Sequence, residues 1–520
     1  MNSTTLATDA EPSHGADNVR ADVAIACLAA TCAAALGCHR DVDPGPDLAI
    51  VGESTRVRLE DPYPAHTPWL VNGAVELVMA RGEILGIQVL HRTPGPTSLT
   101  FSDPKIRGSG FDVNSFPVAR ASTEMYGGGR TGTFADGLTR VKTATTNPAY
   151  LQIEGNDAPP GTYQGQLVVG GRTLPVHLTI VRVDLPATVE DRVWAYEDPR
   201  ELAWAQGAVG DPPRAVSTAA ERACHYEVAS YGVRFAPDLE LDWWAARREF
   251  FIGFHDLPVV IPTDPAKVGE VVRTWIDATR GSENVPFAIP IDEPGTPEKR
   301  AQVIELAKAV RAAGGGPKTF RFAVTDDPRP EYGDLVDLYI SLRTPRSAGG
   351  TQWTYNGAPP RAGSMVLDAA TPGTRTWGWI AYRWNIPVWY VWDATYWHDR
   401  HNRKGAALPG KALDPRVDPT SFDAGEDHGN LDGVLVLPDR DGCRPTLRLA
   451  ALRRGQQDRR LLELAAKCDR AAVDALVAKL VPEALGDAPK SGKPSWPTDE
   501  AAWELARREV LRLAQTCSAH

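Results

Sequence analysis

The feature that most constrains this chain is a change of texture at Leu185-Pro186. Upstream, short alternating or apolar runs (residues 75–78, 84–90, 164–169 and 174–180) are split by Gly, Pro and Asn turns. Residues 158–163 read as a turn into the strand 164–169, and Gly170-Gly171 just after it is a hairpin signal. Many short strands with almost no helical period suggest a β-sandwich over residues 48–187. Downstream, apolar strands alternate with helical patterns, which is the pattern of a parallel sheet with crossover helices. Strands are expected at 193–196, within 251–261, and at 285–291, 320–324, 338–341, 386–392 and 434–437. Helices are expected at 215–231, 268–279 and 298–313, the last ended by Gly314-Gly315-Gly316. With roughly eight strand candidates, residues 188–520 suit a (β/α)8 TIM-like barrel, followed by C-terminal helices at 447–468, 470–481 and 499–516. At 520 residues the chain exceeds one ordinary core, so a multidomain β plus α/β protein is expected.

The first 38 residues read as a targeting segment. Residues 23–37 are apolar and rich in small side chains, too short to span a bilayer but suited to a signal-peptide core. They end at Ala35-Leu36-Gly37-Cys38, which is similar to a bacterial lipoprotein cleavage box, although that box prefers Leu where Ala35 stands. The expectation is an exported protein, membrane-anchored by a lipid on Cys38 and facing the periplasm or cell surface. Ordinary signal cleavage, or an apolar helix of no targeting meaning, is the other reading. Residues 39–47 are short and polar and read as a linker. Beyond the targeting segment four cysteines remain, Cys224, Cys443, Cys468 and Cys517. None lie in a C-x-x-C spacing, so no zinc site is expected, and their pairing cannot be read from sequence. A net charge of −10 argues against a nucleic-acid partner, which needs a basic face.

The most informative hexapeptide is Ile289-Pro290-Ile291-Asp292-Glu293-Pro294. Two carboxylates follow an apolar strand and a proline stops it. Carboxylates just past a barrel strand sit at the C-terminal rim, where such barrels place their active sites. Neighbours on a regular strand point oppositely, but a bend at the strand end can present both to one pocket. Close carboxylates repel, so one tends to keep its proton while the other stays ionised. That pairing supplies a general acid beside a negative stabiliser, as glycosidic cleavage requires. The competing reading is a helix N-terminus, since Asp, Glu and Pro all favour the first turn.

Residues 84–90, 157–167, the acidic pair in 289–294, 375–392, Asp432-Gly433-Val434-Leu435 and 448–458 follow one another in a series. That series resembles family 123 of the glycoside hydrolases and the wider group around it called domain of unknown function 4091, over roughly residues 50–515. The resemblance implies an exo-acting glycosidase for β-linked N-acetylhexosaminides, N-acetylgalactosamine favoured, working by substrate-assisted retaining catalysis without a cofactor. It implies that Glu293 protonates the leaving oxygen and that Asp292 orients the 2-acetamido group as it attacks the anomeric carbon. The chain has few long insertions at the rim, where loops set sugar specificity. Fold and acid pair therefore transfer better than substrate. A glycosidase of the same fold with another sugar, and a non-catalytic glycan-binding lipoprotein, are the alternatives.

The chain has 15 Trp, and aromatics cluster late. Trp353, Tyr355, Trp392 and Tyr396 are candidate sugar-stacking walls, with core packing an equal reading, while Trp389 and Trp397 read as core. Asp393 follows the strand 386–392 and could bond a sugar hydroxyl, with a structural hydrogen bond an equal reading. Glu197-Asp198 reads as a helix cap, His225 as a structural histidine, and His398-Asp399-Arg400-His401 as solvated loop rather than a metal site. Residues 127–132 formally match G-x-G-x-x-G but lack a strand–helix context.

Overall fold

The computed structural model describes residues 46–123, 127–155, 157–185, 192–206, 218–237, 239–348, 350–397, 416, 419–424 and 427–517. Cys38 and the rest of the targeting segment, the junction 186–191 and the His398–His401 stretch lie outside them.

Ten strands come first: β1 (Leu48–Gly52), β2 (Leu70–Val71), β3 (Ala74–Arg81), β4 (Ile84–His91), β5 (Thr97–Phe101), β6 (Arg107–Val118), β7 (Gly132–Val141), β8 (Ala149–Glu154), β9 (Gly161–Val169) and β10 (Arg172–Asp184). They form two five-stranded sheets, ordered β1-β4-β8-β6-β7 and β2-β3-β10-β9-β5. Every pairing is antiparallel except β3 beside β10. The period of two explains the burial. Val75, Leu77 and Met79 of β3 and Val176, Leu178 and Ile180 of β10 point one way, into a core shared with Ile50, Ile87, Val89, Leu151 and Ile153 of the other sheet. Gly170 and Gly171 take φ of 53° and 79°, the left-handed pair that a two-residue hairpin needs.

The second half alternates strand and helix. Its strands are β11 (Val193–Tyr196), β12 (Arg234–Ala236), β13 (Asp256–Pro258), β14 (Val285–Ala288), β15 (Arg321–Val324), β16 (Leu338–Tyr339), β17 (Thr354–Tyr355) and β18 (Trp389–Val391). They make two four-stranded sheets, β12-β11-β18-β17 and β13-β14-β15-β16, all parallel. Single parallel bridges, Leu239 to Val259 and Ile340 to Trp353, link the ends of one sheet to the ends of the other. Among the described residues there is no closed barrel of continuous ladders, because strands of two to four residues leave two seams to single bridges. Sequence reading missed β12 and β17, which are too short to carry a period. The strand expected at 434–437 does not join the parallel sheets. After the short hairpin β19 (Thr420–Ala424) and β20 (Asp427–Asn430), β21 (Val436–Asp439) pairs antiparallel with β22 (Gly442–Pro445).

The helices between and after these strands are α1 (Pro199–Ala205), α2 (Ala219–Ser230), α3 (Leu241–Arg247), α4 (Pro265–Thr279), α5 (Pro297–Ala312), α6 (Thr376–Trp384), α7 (Leu447–Leu480) and α8 (Glu500–Cys517). Helix α7 is interrupted at Asp469, whose φ of −145° and ψ of 84° are not helical. Its carboxylate caps the restart by accepting the Ala472 N–H. The charged residues of the α7 motif 448–458 turn inward. Arg448 pairs with Asp136 of β7, and Arg453 donates to Glu53, Gln152 and the Tyr150 hydroxyl. Arg454 reaches Glu83 and Asp458, Arg507 of α8 reaches Glu83 and Glu504, and Arg375 joins Asp458 to Glu500. This buried ion network ties the C-terminal helices to the antiparallel sheets. The four cysteines pair as Cys224–Cys443 and Cys468–Cys517, two bridges that close α2 on β22 and α7 on α8.

Candidate active site

Asp292 and Glu293 come four and five residues after β14, the fourth parallel strand in chain order. They are not the helix cap. Helix α5 starts at Pro297 and is capped by Thr296, whose side chain accepts the Lys299 N–H. The pair instead sits in an exposed bend where Glu293 holds a φ of 42°. That left-handed conformation is uncommon for a side chain larger than Gly or Asn and costs roughly 1–3 kcal/mol. Thr325, just past the fifth parallel strand, stabilises it. Its Oγ1 accepts the Glu293 N–H at 2.7 Å and donates to Asp292 Oδ1 at 2.7 Å. One hydroxyl therefore couples the bent backbone to the neighbouring carboxylate. Tyr355, ending the seventh strand, donates its hydroxyl to Glu293 Oε1 at 2.9 Å.

Glu293, Thr325 and Tyr355 line one cavity of about 360 Å3, with Asp326, Asp327, Arg329, Ser341, Arg343 and Arg361 among its other walls. Each of these ends or follows a parallel strand, so the cavity opens where the strands' C-terminal ends lie. Asp292 is not among its walls; it reaches the cavity through Thr325. Burial pushes the Asp326 carboxyl up, but hydrogen bonds from Arg329, Tyr332 and the Asp327 N–H outweigh it and hold Asp326 below its usual range. The Thr325-Asp326-Asp327 run obeys the rule that picked out Asp292 and Glu293, polar residues just past an apolar strand, so it could have been found from sequence.

The other predicted binding residues divide. Tyr355 is half-buried at the cavity. Trp353 is a core residue, 4% exposed, packed edge-on against Phe287 with ring centroids 5.3 Å apart, so no sugar face can reach it. Tyr396 is 5% exposed and tilted against half-buried Trp392 at 4.6 Å. Neither lines the cavity holding Glu293. Asp393 is buried and accepts the Thr395 N–H at 2.8 Å. Burial, with Asp198 and Glu201 nearby, raises its carboxyl well above the usual range. The bonds it makes in the structure are of the structural kind. Trp389 and Trp397 are core, as expected.

Asp198 caps α1 by accepting the Arg200 N–H, whereas Glu197 is wholly buried against His225. Glu197, Glu221 and His225 bring three ligand-type atoms within 4.8 Å of one another. Arg247 already donates to both oxygens of Glu221, so a cation there would meet a guanidinium. Burial pushes His225 down to about 4 and, with Glu221 and Asp198 adding, lifts Glu197 well above its usual range. Burial thus favours the neutral form of both groups.

The arrangement is that of a mixed α/β protein whose polar cavity lies past the C-terminal ends of parallel strands. Its fold is similar to that of a family 123 glycoside hydrolase from Clostridium perfringens, solved for the details of glycolipid glycan hydrolysis. The two share a TM-score of 0.63 at 11% identity, over 90% of this chain and 98% of that one. A putative α-galactosidase/melibiase from Bacteroides fragilis NCTC 9343 aligns over 52% of this chain and 56% of its own at 10% identity, with a TM-score of only 0.16. No protein-family model and no curated protein sequence matches the chain. At 11% identity the likeness is one of fold.

Proposed function

We propose that this protein is a glycoside hydrolase acting through Asp292 and Glu293. The observation that carries the reading is the Thr325 hydroxyl, which holds a strained bend so that one acid enters the cavity and its neighbour is fixed beside it. A merely solvated acidic turn has no need of that coupling. In the same reading the two five-stranded sheets are a β-sandwich. The eight parallel strands, neighbours in chain order and joined at both seams by bridges, are a (β/α)8-type barrel. The cavity suits one or two sugar rings, near the low end of small-molecule sites at about 300–1,000 Å3.

The substrate we infer is a β-linked N-acetylhexosaminide, N-acetylgalactosamine favoured, cleaved from its end. Glu293 delivers its proton to the leaving glycosidic oxygen, and Tyr355 then donates a hydrogen bond to the carboxylate that remains. Asp292, oriented by Thr325, faces the acetamido group as its oxygen attacks the anomeric carbon. The bond to the leaving oxygen breaks, a cyclic intermediate forms with retention after water opens it, and no enzyme nucleophile is used. Two disulfides fit an oxidising compartment, which supports export, and the sequence around Cys38 is what motivates a lipid anchor there. No helix among the described residues is long and apolar enough to cross a membrane.

The test is a leaving-group series of aryl N-acetyl-β-galactosaminides. Glu293→Gln should lose about 10²–10⁴-fold with poor leaving groups and less with dinitrophenol, which needs little protonation. Asp292→Asn should lose activity with both, since the acetamido group is involved throughout. Near-normal turnover in both variants would overturn the site, and equal losses regardless of leaving group would overturn only the division of roles.

A further inference from the structure

The cavity walls carry three carboxylates, Glu293, Asp326 and Asp327, and three guanidinium groups, Arg329, Arg343 and Arg361. Most of this charge is already matched. Arg329 forks onto both oxygens of Asp326. Asp327 accepts the Ser341 hydroxyl and has Arg343 Nη1 3.8 Å from its other oxygen, a loose pair that leaves most of the Arg343 donors open. Glu293 is held by Tyr355.

Arg361 is different. Its guanidinium makes no hydrogen bond and no ion pair with any described residue, although it is half-buried. Its backbone, by contrast, is anchored at both ends. The N–H donates to the Ala358 carbonyl at 2.9 Å, and its own carbonyl accepts the Leu485 N–H at 2.8 Å. Other arginines of this protein show what the fold does with such a group when it is structural. Arg375, Arg448, Arg453, Arg454 and Arg507 each have a carboxylate partner. A guanidinium offers five donors in a planar fork that matches carboxylate and sulfate geometry. An unmatched fork carried on a fixed stretch of backbone at the wall of a cavity has the chemistry to receive an oxyanion that arrives with the ligand.

We propose that Arg361, with Arg343 in the same cavity, selects a glycan whose sugar carries an anionic substituent, a sulfate ester or a carboxylate. This rests on reading the cavity as the sugar site and adds the class of sugar. A neutral sugar would leave the fork bonded to water only. An anionic one exchanges that water for two parallel charge-assisted bonds, while Asp326, already forked by Arg329, repels it little.

The test is binding, separated from turnover by using the Glu293→Gln protein. Titration calorimetry compares N-acetylgalactosamine, its 6-sulfate and glucuronate. At least one charged sugar should bind more tightly than the neutral one, and which of the two it is identifies the substituent. Arg361→Gln should cut that preference about 10- to 100-fold, the range for hydrogen bonds to charged groups. Arg361→Lys should keep part of it, because charge survives but the fork does not. The preference should also shrink as salt rises. If Arg361→Gln does not fold, Arg343→Gln read the same way should show a smaller loss. Equal binding of neutral and charged sugars, or a preference untouched by both substitutions, would overturn the proposal. Hydrolysis of neutral aryl glycosides without charge preference sinks this inference alone. Charge-selective binding without hydrolysis of any substrate sinks the catalytic reading and leaves this one standing.

Discussion

Replacing Thr325 by Val removes one oxygen and keeps the β-branched shape. Thr325 is 8% exposed, so water cannot simply take the hydroxyl's place. Two bonds vanish together, the 2.7 Å acceptance from the Glu293 N–H and the 2.7 Å donation to Asp292. A hydrogen bond to a charged group is worth roughly 1.5–3 kcal/mol, and the left-handed φ of Glu293 stores a further cost of about 1–3 kcal/mol that the first bond offsets. Without that restraint the bend relaxes and the acid swings away from its position in the cavity. If about 1.5–3 kcal/mol of this appears in the transition state, kcat/KM falls roughly 10- to 150-fold, at 1.36 kcal/mol per decade. The assay is kcat/KM on 4-nitrophenyl N-acetyl-β-galactosaminide, with a melting curve to report folding. Thr325→Ser, which keeps the hydroxyl, should stay within about threefold of the parent. A Val variant within twofold of the parent would refute the reasoning. So would a Ser variant as impaired as Val, since the methyl group and not the hydroxyl would then matter.

Three further outcomes are expected. Asp136→Ala strands the wholly buried Arg448 and should lower unfolding free energy by about 3–5 kcal/mol in a denaturant titration, whereas Glu509→Ala, which breaks the exposed pair with Arg512, should cost under about 1 kcal/mol. His225 titrates at 6.5 when unfolded but is pushed down to about 4 by burial. The unfolded chain therefore takes up the proton first, and stability present above pH 6.5 is lost as pH falls toward 4. Between pH 7.5 and 5 the histidine alone accounts for about 2 kcal/mol of loss, opposed by the raised Glu197 carboxyl beside it, so the readout is the difference between proteins: the parent should lose stability relative to His225→Gln as pH falls, and parallel pH profiles would rule the histidine out. Cys38→Ser should move the protein from the membrane to the soluble fraction of a lipoprotein-processing bacterial host, and native protein in the cytosol with an intact N-terminus would reject both export and acylation.

Periodic elements were legible in the sequence because burial repeats at the spacing of the backbone itself. The runs 75–78, 84–90 and 174–180 lie inside β3, β4 and β10, and the break between the helices expected at 447–468 and 470–481 falls on Asp469. The place of Asp292 and Glu293 just past a parallel strand could likewise be read from the apolar run before them. Three things were decided only by the tertiary structure. The strands β12 and β17 are three and two residues long, too short for a pattern, and exist because their neighbours supply hydrogen-bond partners. Whether an aromatic is wall or core depends on what packs across it. Trp353 and Tyr355 are two residues apart, one just before β17 and one at its end, yet Phe287 covers the first and the second reaches Glu293. Charge was least legible of all. Arg448, Arg453 and Arg454 carry no sign of burial in the sequence, but Asp136 of β7, Glu53 just past β1 and Glu83 just before β4 draw them inside, while Arg361, with no such partner, stays open. Local periodicity reports which way a side chain points. What it meets there is set by residues hundreds of positions away.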